Sequence, residues 1–142
     1  MAYLCMNCYE IYDRDLGYCP KVNCHQDIVE IDELMLPTII LLNQKGYMTD
    51  FCCSGHSYLE YNNPYIAFSD FLVDIFDGEE IKDMFKDLPE PWVLEEPNGT
   101  YRRMYCWRCK IEEEDVIKRY KAIMDANYAL LEYVTKLPWL EY

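Results

Sequence analysis

Four cysteines within the first 24 residues constrain this chain more than any other feature. Cys5-Met6-Asn7-Cys8 is a CxxC, and Cys19-Pro20-Lys21-Val22-Asn23-Cys24 is a CxxxxC. The intervening residues carry Tyr9, Ile11 and Tyr12, then Asp13, Arg14, Asp15 and Gly17, which reads as a short strand, a turn and a return. Two such knuckles brought together present four thiolates, the donor set of a closed tetrahedral zinc site. Residues 1–31 are too few to bury a sufficient apolar core, so the metal supplies folding energy. The sequence therefore predicts a zinc ribbon over 1–31, with Zn2+ on Cys5, Cys8, Cys19 and Cys24. His25 directly follows Cys24 and leaves a Cys3His set open.

Composition limits the rest. The 142 residues amount to about one domain. Lys plus Arg total 13 against 26 Asp plus Glu, a net charge of −13. Reading duplex DNA requires a basic face, so direct nucleic-acid binding is disfavoured. The longest apolar stretch, 34–42, is broken by Pro37 and Thr38 and falls short of the roughly 18 residues of a membrane span. No signal-peptide pattern opens the chain, so the expectation is a soluble cytoplasmic protein without membrane contact. In a reducing compartment its 8 cysteines are metal ligands or nucleophiles more often than disulfides.

Beyond the ribbon, an α+β domain is expected over 32–142, in the order α-β-β-α-β-β-α, as an antiparallel sheet with helices on one side. Asp32 is placed to cap a first helix, with Pro37 in its first turn, Leu34, Met35, Ile39 and Leu42 on its buried face, and Gly46 at its end. Strands follow over 47–53 and 58–69, with a bulge at Asn62-Asn63-Pro64. Asp77 to Glu80 opens a short helix ended by Pro89 and Pro91. A hairpin joins 92–94 to 101–111, and a helix runs over 112–135 to a stop at Pro138.

Two further cysteine groups carry potential chemistry. Cys52-Cys53-Ser54-Gly55-His56 ends a strand in a glycine turn, and Cys106-Trp107-Arg108-Cys109 is a second CxxC. Three readings stand open. Cys53, His56, Cys106 and Cys109 form a second zinc site, although residues i and i+3 of a strand face opposite ways. Alternatively Cys53 is a nucleophile with His56 as its base and outward N–H groups as oxyanion donors, making the protein a small hydrolase or transferase. In the third reading Cys52, Cys106 and Cys109 are buried, and the turn shapes a ligand pocket floored by Tyr58, Tyr65 and Trp107.

That pocket would draw on Arg102, Arg103 and Arg108, interleaved with Tyr101, Tyr105 and Trp107. Guanidinium groups beside aromatic faces suit phosphate and a stacked base. The expected ligand-binding set is thus Cys53, Ser54, Gly55, His56, Arg102, Arg103, Trp107 and Arg108, for an anionic, nucleotide-like ligand. Ordinary pairing of these arginines with the chain's many carboxylates is the alternative explanation, and the simpler one. Acidic residues cluster over 77–87, 90–96 and 112–115, and 14 tyrosines accompany only 5 phenylalanines. Such a surface suits a partner protein with a basic face, steered by charge.

The run from Ile31 to His56 contains Asn43-Gln44-Lys45-Gly46-Tyr47-Met48-Thr49-Asp50-Phe51-Cys52-Cys53-Ser54-Gly55-His56. With the preceding ribbon, it resembles a family of small, functionally uncharacterised zinc-ribbon proteins of low-GC Gram-positive bacteria and their phages, through the phrase LNxKGYxTxFCCSGH. The resemblance covers roughly the first half. It implies a ribbon on a small α/β body, a mobile-element setting and a bacterial host cytoplasm, and it lends no activity. A weaker likeness links Cys53-Ser54-Gly55 to the CSGR turn of the wybutosine-synthesis methyltransferase family, with His56 in place of the arginine; no residues carry over. Together these features lead to the expectation of a non-enzymatic zinc-binding protein. As a phage-type inhibitor of host defence, it would occlude a basic protein surface or sequester an anionic nucleotide. Self-association is left open.

Overall fold

The computed structural model describes residues 1–55, 63–97 and 104–141. Within them the chain is α+β, with two antiparallel sheets and four helices. The first sheet contains β1 (Ala2–Cys5), β2 (Ile11–Tyr12) and β3 (Ile28–Ile31), in the order β2-β1-β3. Its central strand buries Ala2, Leu4 and Cys5, and β3 buries Ile31.

Helix α1 (Leu36–Gln44) carries Pro37 in its first turn, where the missing N–H costs nothing. Its N-cap is Met35, with no side-chain cap bond, so Asp32 does not cap it as expected. The helix ends in a Schellman motif. Gly46, at φ +99°, donates to Asn43 O at 3.2 Å, and Tyr47 donates to Leu42 O at 2.9 Å. Leu42 and Tyr47, the two positions that flank such a motif on its apolar side, are both fully buried in the core.

The second sheet has β4 (Thr49–Cys53), β5 (Tyr65–Phe68), β6 (Trp92–Glu95) and β7 (Cys106–Cys109), in the order β4-β5-β7-β6. The expected hairpin is present as the β6–β7 pair, but β5 and β7 are shorter than anticipated. Residues 58–62 and 101–103 of those expected strands lie outside the described residues. Between β5 and β6 stand two helices where one was expected, α2 (Asp70–Ile75) and α3 (Gly78–Met84), so the expected element order misses a helix. Helix α3 opens on a full capping box between Asp77 and Glu80.

Helix α4 (Val116–Lys136) starts four residues later than expected, after the N-cap Asp115, whose carboxylate accepts from Lys118 N–H at 3.0 Å. Its C-terminus is held by the buried Lys45, whose ammonium donates to the carbonyls of Val134, Thr135 and Leu137 at 3.0, 3.0 and 2.7 Å. A cation there satisfies carbonyls that lack helical partners and opposes the negative end of the helix dipole. Tyr47 adds a bond from its hydroxyl to Pro138 O at 2.7 Å.

One face of the second sheet packs on the helices. Its cross-strand row Cys52–Ile66–Trp107–Leu94 turns inward, and the Trp92 indole donates to Ala126 O of α4 at 2.8 Å. A single core joins Leu4 and Ile31 of the first sheet to Met35, Ile39 and Leu42 of α1, Ile66, Phe68 and Trp107 of the second sheet, and Ile123, Leu130 and Val134 of α4. Each such buried side chain contributes about 1.5–3 kcal/mol of transfer free energy.

Candidate metal centre

The first sheet converges its four cysteines. Cys5 ends β1, and a tight turn follows in which Tyr9 N–H donates to Cys5 O at 2.8 Å and Cys8 N–H approaches Cys5 Sγ at 3.5 Å. On the other side Cys19 N–H donates to Gln26 O at 2.8 Å, and Cys24 N–H to Lys21 O at 3.1 Å. The residue after the second cysteine of each pair is left-handed: Tyr9 at φ +63° and His25 at φ +53°. Non-glycine residues adopt that conformation at a cost, so both knuckles carry the same local strain.

The four sulfurs lie within 4.8 Å of one another, with Cys5 and Cys24 at 3.5 Å and Cys8 and Cys19 at 3.7 Å. A tetrahedral tetrathiolate with metal–sulfur bonds of about 2.3 Å has sulfur–sulfur edges near 3.8 Å, so the donor set fits a metal ion. Cys5 and Cys19 are fully buried, while Cys8 and Cys24 are half-buried. Donors stand around the sulfurs: Asn7 Nδ2 is 3.4 Å from Cys24 Sγ, and the Tyr12 hydroxyl is 3.3 Å from Cys19 Sγ. Partners of this kind orient ligands and temper their charge.

Their acid–base behaviour fits the same reading. The Asn7 amide, then the backbone at Gln26, holds the Cys24 thiol down to about 6. Cys8 is instead pushed up to about 11: the backbone hydrogen bond at Glu10 lowers it, but burial and the neighbouring thiols of Cys5, Cys19 and Cys24 prevail. Metal ligation requires thiolates, so a bound cation would displace the proton that the raised Cys8 thiol retains. His25 is exposed, with its ring 5.9 Å from that of Tyr18, and lies outside the four-cysteine group; the Cys3His alternative is not what the fold assembles.

Among the described residues the second site is not assembled either. Cys106 and Cys109 sit on opposite faces of β7, Cys109 within the core beside Trp92 and Cys106 on the other face. Among the described residues, Cys5, Cys8, Cys19 and Cys24 are the one metal-capable group, and His56 lies outside those residues. Burial pushes the Cys109 thiol up to about 12.

The expected ligand pocket is partly overturned. Cys53, Tyr65 and Arg108 do share one sheet face in a cross-strand row. Trp107 does not: strand alternation turns it inward, where it is fully buried and meets Phe68 and Phe85 edge-on at 4.8 Å. Arg108 Nε bonds to Glu95 Oε1, with the guanidinium 5.4 Å from the Tyr65 ring centre, so the cation serves a carboxylate already in the chain. Tyr65 and Cys52 line a cleft of about 330 Å³ with Met6, Val29, Glu30 and Asp50, and among the described residues no lysine or arginine lines it. Arg102, Arg103 and Tyr58 lie outside the described residues.

Nor does the glycine turn point its N–H groups outward. Ser54 N–H and hydroxyl both donate to Asp32 Oδ2, each at 2.9 Å, and Gly55 N–H faces Cys53 Sγ at 3.4 Å. Gly55 itself is required by φ +91° and by Pro64, whose Cδ would lie 2.7 Å from an added Cβ. Burial, followed by the Asp32 charge, outweighs the backbone bond at Gly55 and raises the Cys53 thiol above its ordinary range, the wrong direction for a nucleophile. A carboxylate held against the turn also repels an anionic ligand.

Several structural residues were not singled out by sequence reasoning. Asn127 Nδ2 donates to Ser54 O at 3.2 Å, tying the turn to α4. Buried Arg119 donates to Asn63 Oδ1 at 2.6 Å. A charged or amide residue on the buried face of α4 was the available signal for both. No family model, curated protein or solved structure matches the chain. No helix among the described residues is long and apolar enough to cross a membrane.

Proposed function

We propose that the chain binds one zinc ion through Cys5, Cys8, Cys19 and Cys24 in a ribbon that is structural, and that it acts by binding a partner protein with a basic surface. The convergence of four thiols at tetrahedral spacing carries the zinc assignment, and a closed tetrathiolate leaves no open position for substrate. The ribbon's sheet shares the core through Leu4 and Ile31, so the metal supports the whole body.

The net charge of −13 supports the partner assignment. Exposed carboxylates Glu79, Glu80 and Asp83 on α3, and those over 112–115 before α4, give the surface a negative potential that speeds encounter with a basic face. The Cys53 turn and Arg108 give less support to nucleotide sequestration or turnover, for the reasons of geometry above. In the phage setting that the 31–56 motif implies, the partner would belong to a host defence system.

Affinity enrichment of the intact zinc-loaded chain from host lysate, at low and high salt, tests this reading when followed by purified reconstitution. A basic protein that rebinds in purified form and is released by salt is expected. Tight calorimetric binding of cyclic nucleotides, with no purified protein partner, would overturn it.

A further inference from the structure

We infer that α4 carries a second apolar face which pairs, antiparallel, with α4 of another copy of this chain. One side of the helix is core: Ile123, Ala126, Leu130 and Val134 are buried. A helix served by one core face is ordinarily polar elsewhere. Here Ile117, Tyr120, Met124, Tyr128 and Leu131 recur every three or four residues along the flank that adjoins the core face, with Met124 and Leu131 half-buried. Ile117 is 76% exposed, Tyr120 56% and Tyr128 59%. The stripe extends through most of a 21-residue helix, a length of about 31 Å.

Charge along the helix selects the occupant and its direction. Four exposed carboxylates, Glu112 to Asp115, precede α4, while Lys136 lies in its last turn. Lys121 stands in the first half and Glu132 in the second, both exposed on the same flank of the stripe. A two-fold axis near Ala126 brings Met124 of one copy to Tyr128 of the other. It also sets Lys121 beside Glu132, and Lys136 beside the opposite copy's 112–115 carboxylates. The in-chain contact of Lys136 with Glu132, at 3.4 Å, joins the same network. Parallel pairing would instead stack one carboxylate cluster on the other. An isologous contact of this kind closes as a dimer. The net charge opposes association at long range, and physiological salt screens that repulsion beyond about 8 Å.

Sedimentation equilibrium of the full zinc-loaded chain over a concentration series tests the proposal. The expected mass approaches twice the 17.1 kDa chain as concentration rises. The double variant Ile117→Glu/Tyr128→Glu should stay monomeric with an unchanged circular dichroism spectrum, since both side chains face solvent. Zero-length cross-linking of mixed isotope-labelled wild-type chains keeps the test decisive if the variant misfolds: Lys136 should link to residues 112–115 between copies. A chain that remains monomeric throughout, a dimer that persists in the folded variant, or a dimer cross-linked elsewhere overturns the proposal. So does occupation of the stripe only by a different protein.

Discussion

Ser54 gives both its backbone N–H and its hydroxyl to a single carboxylate oxygen of Asp32, each at 2.9 Å. The pair spans 22 residues and fixes the turn after β4 to the segment that leads into α1. Ser54 is buried, so losing its acceptor leaves a backbone donor unsatisfied. Asp32→Ala should cost about 1–3 kcal/mol, read from urea unfolding. Ser54→Ala, which keeps the N–H bond, should cost less. Equal and negligible losses would show that the turn does not depend on Asp32.

Lys45→Met removes the cation from three carbonyls at the end of α4. The expected loss is about 3 kcal/mol, from bonds to a charged group and the exposed helix dipole. Hydrogen exchange should accelerate at the last turn of α4 before the sheets. Uniform acceleration, or none, would contradict a local capping role.

Gly55→Ala faces both a left-handed backbone angle and the Pro64 ring. About 1–3 kcal/mol of destabilisation is expected, by chemical denaturation. A neutral outcome would mean that the turn relaxes away from Pro64.

Thiol chemistry separates a buried cysteine pair from a catalytic one. Burial pushes Cys52 up to about 12, and it also raises Cys53. A raised thiol stays protonated to higher pH, so the thiolate fraction at neutral pH is below that of a free cysteine. In the zinc-loaded protein, iodoacetamide should label Cys52 and Cys53 slowly at neutral pH and faster as pH rises. Rapid labelling of Cys53 at neutral pH would support a nucleophile instead.

What the sequence disclosed depended on the range of the interaction. The four ribbon cysteines were legible because spacing alone brings two knuckles together. The capping box of α3 and the Schellman glycine of α1 were legible for the same local reason. Asp32 looked like a cap by position, yet its partner lies on the far side of α1 and β4. The LNxKGYxT phrase entered only as a resemblance that lends no activity, and its residues are architectural. Asn43 bonds Thr49 in both directions, Lys45 caps α4, Gly46 turns the chain and Tyr47 reaches Pro138. Trp107 was grouped with Arg108 by adjacency, whereas alternation along β7 sends neighbours to opposite faces. Helix α2 escaped because six residues, Asp-Phe-Leu-Val-Asp-Ile, are too few to display a helical period.

Metal removal should reach beyond the first sheet, because Leu4 and Ile31 share the main core. Chelation, or Cys19→Ser, should lower the cooperative thermal transition of the whole chain. Loss confined to residues 1–31, seen as a separate early transition, would contradict that shared core.

Zinc stoichiometry tests the central claim most directly, by native mass spectrometry of untagged protein before and after acid release. The account predicts one zinc per chain, abolished by Cys19→Ser and retained in Cys106→Ser. Two zinc ions per chain, or none, would contradict it.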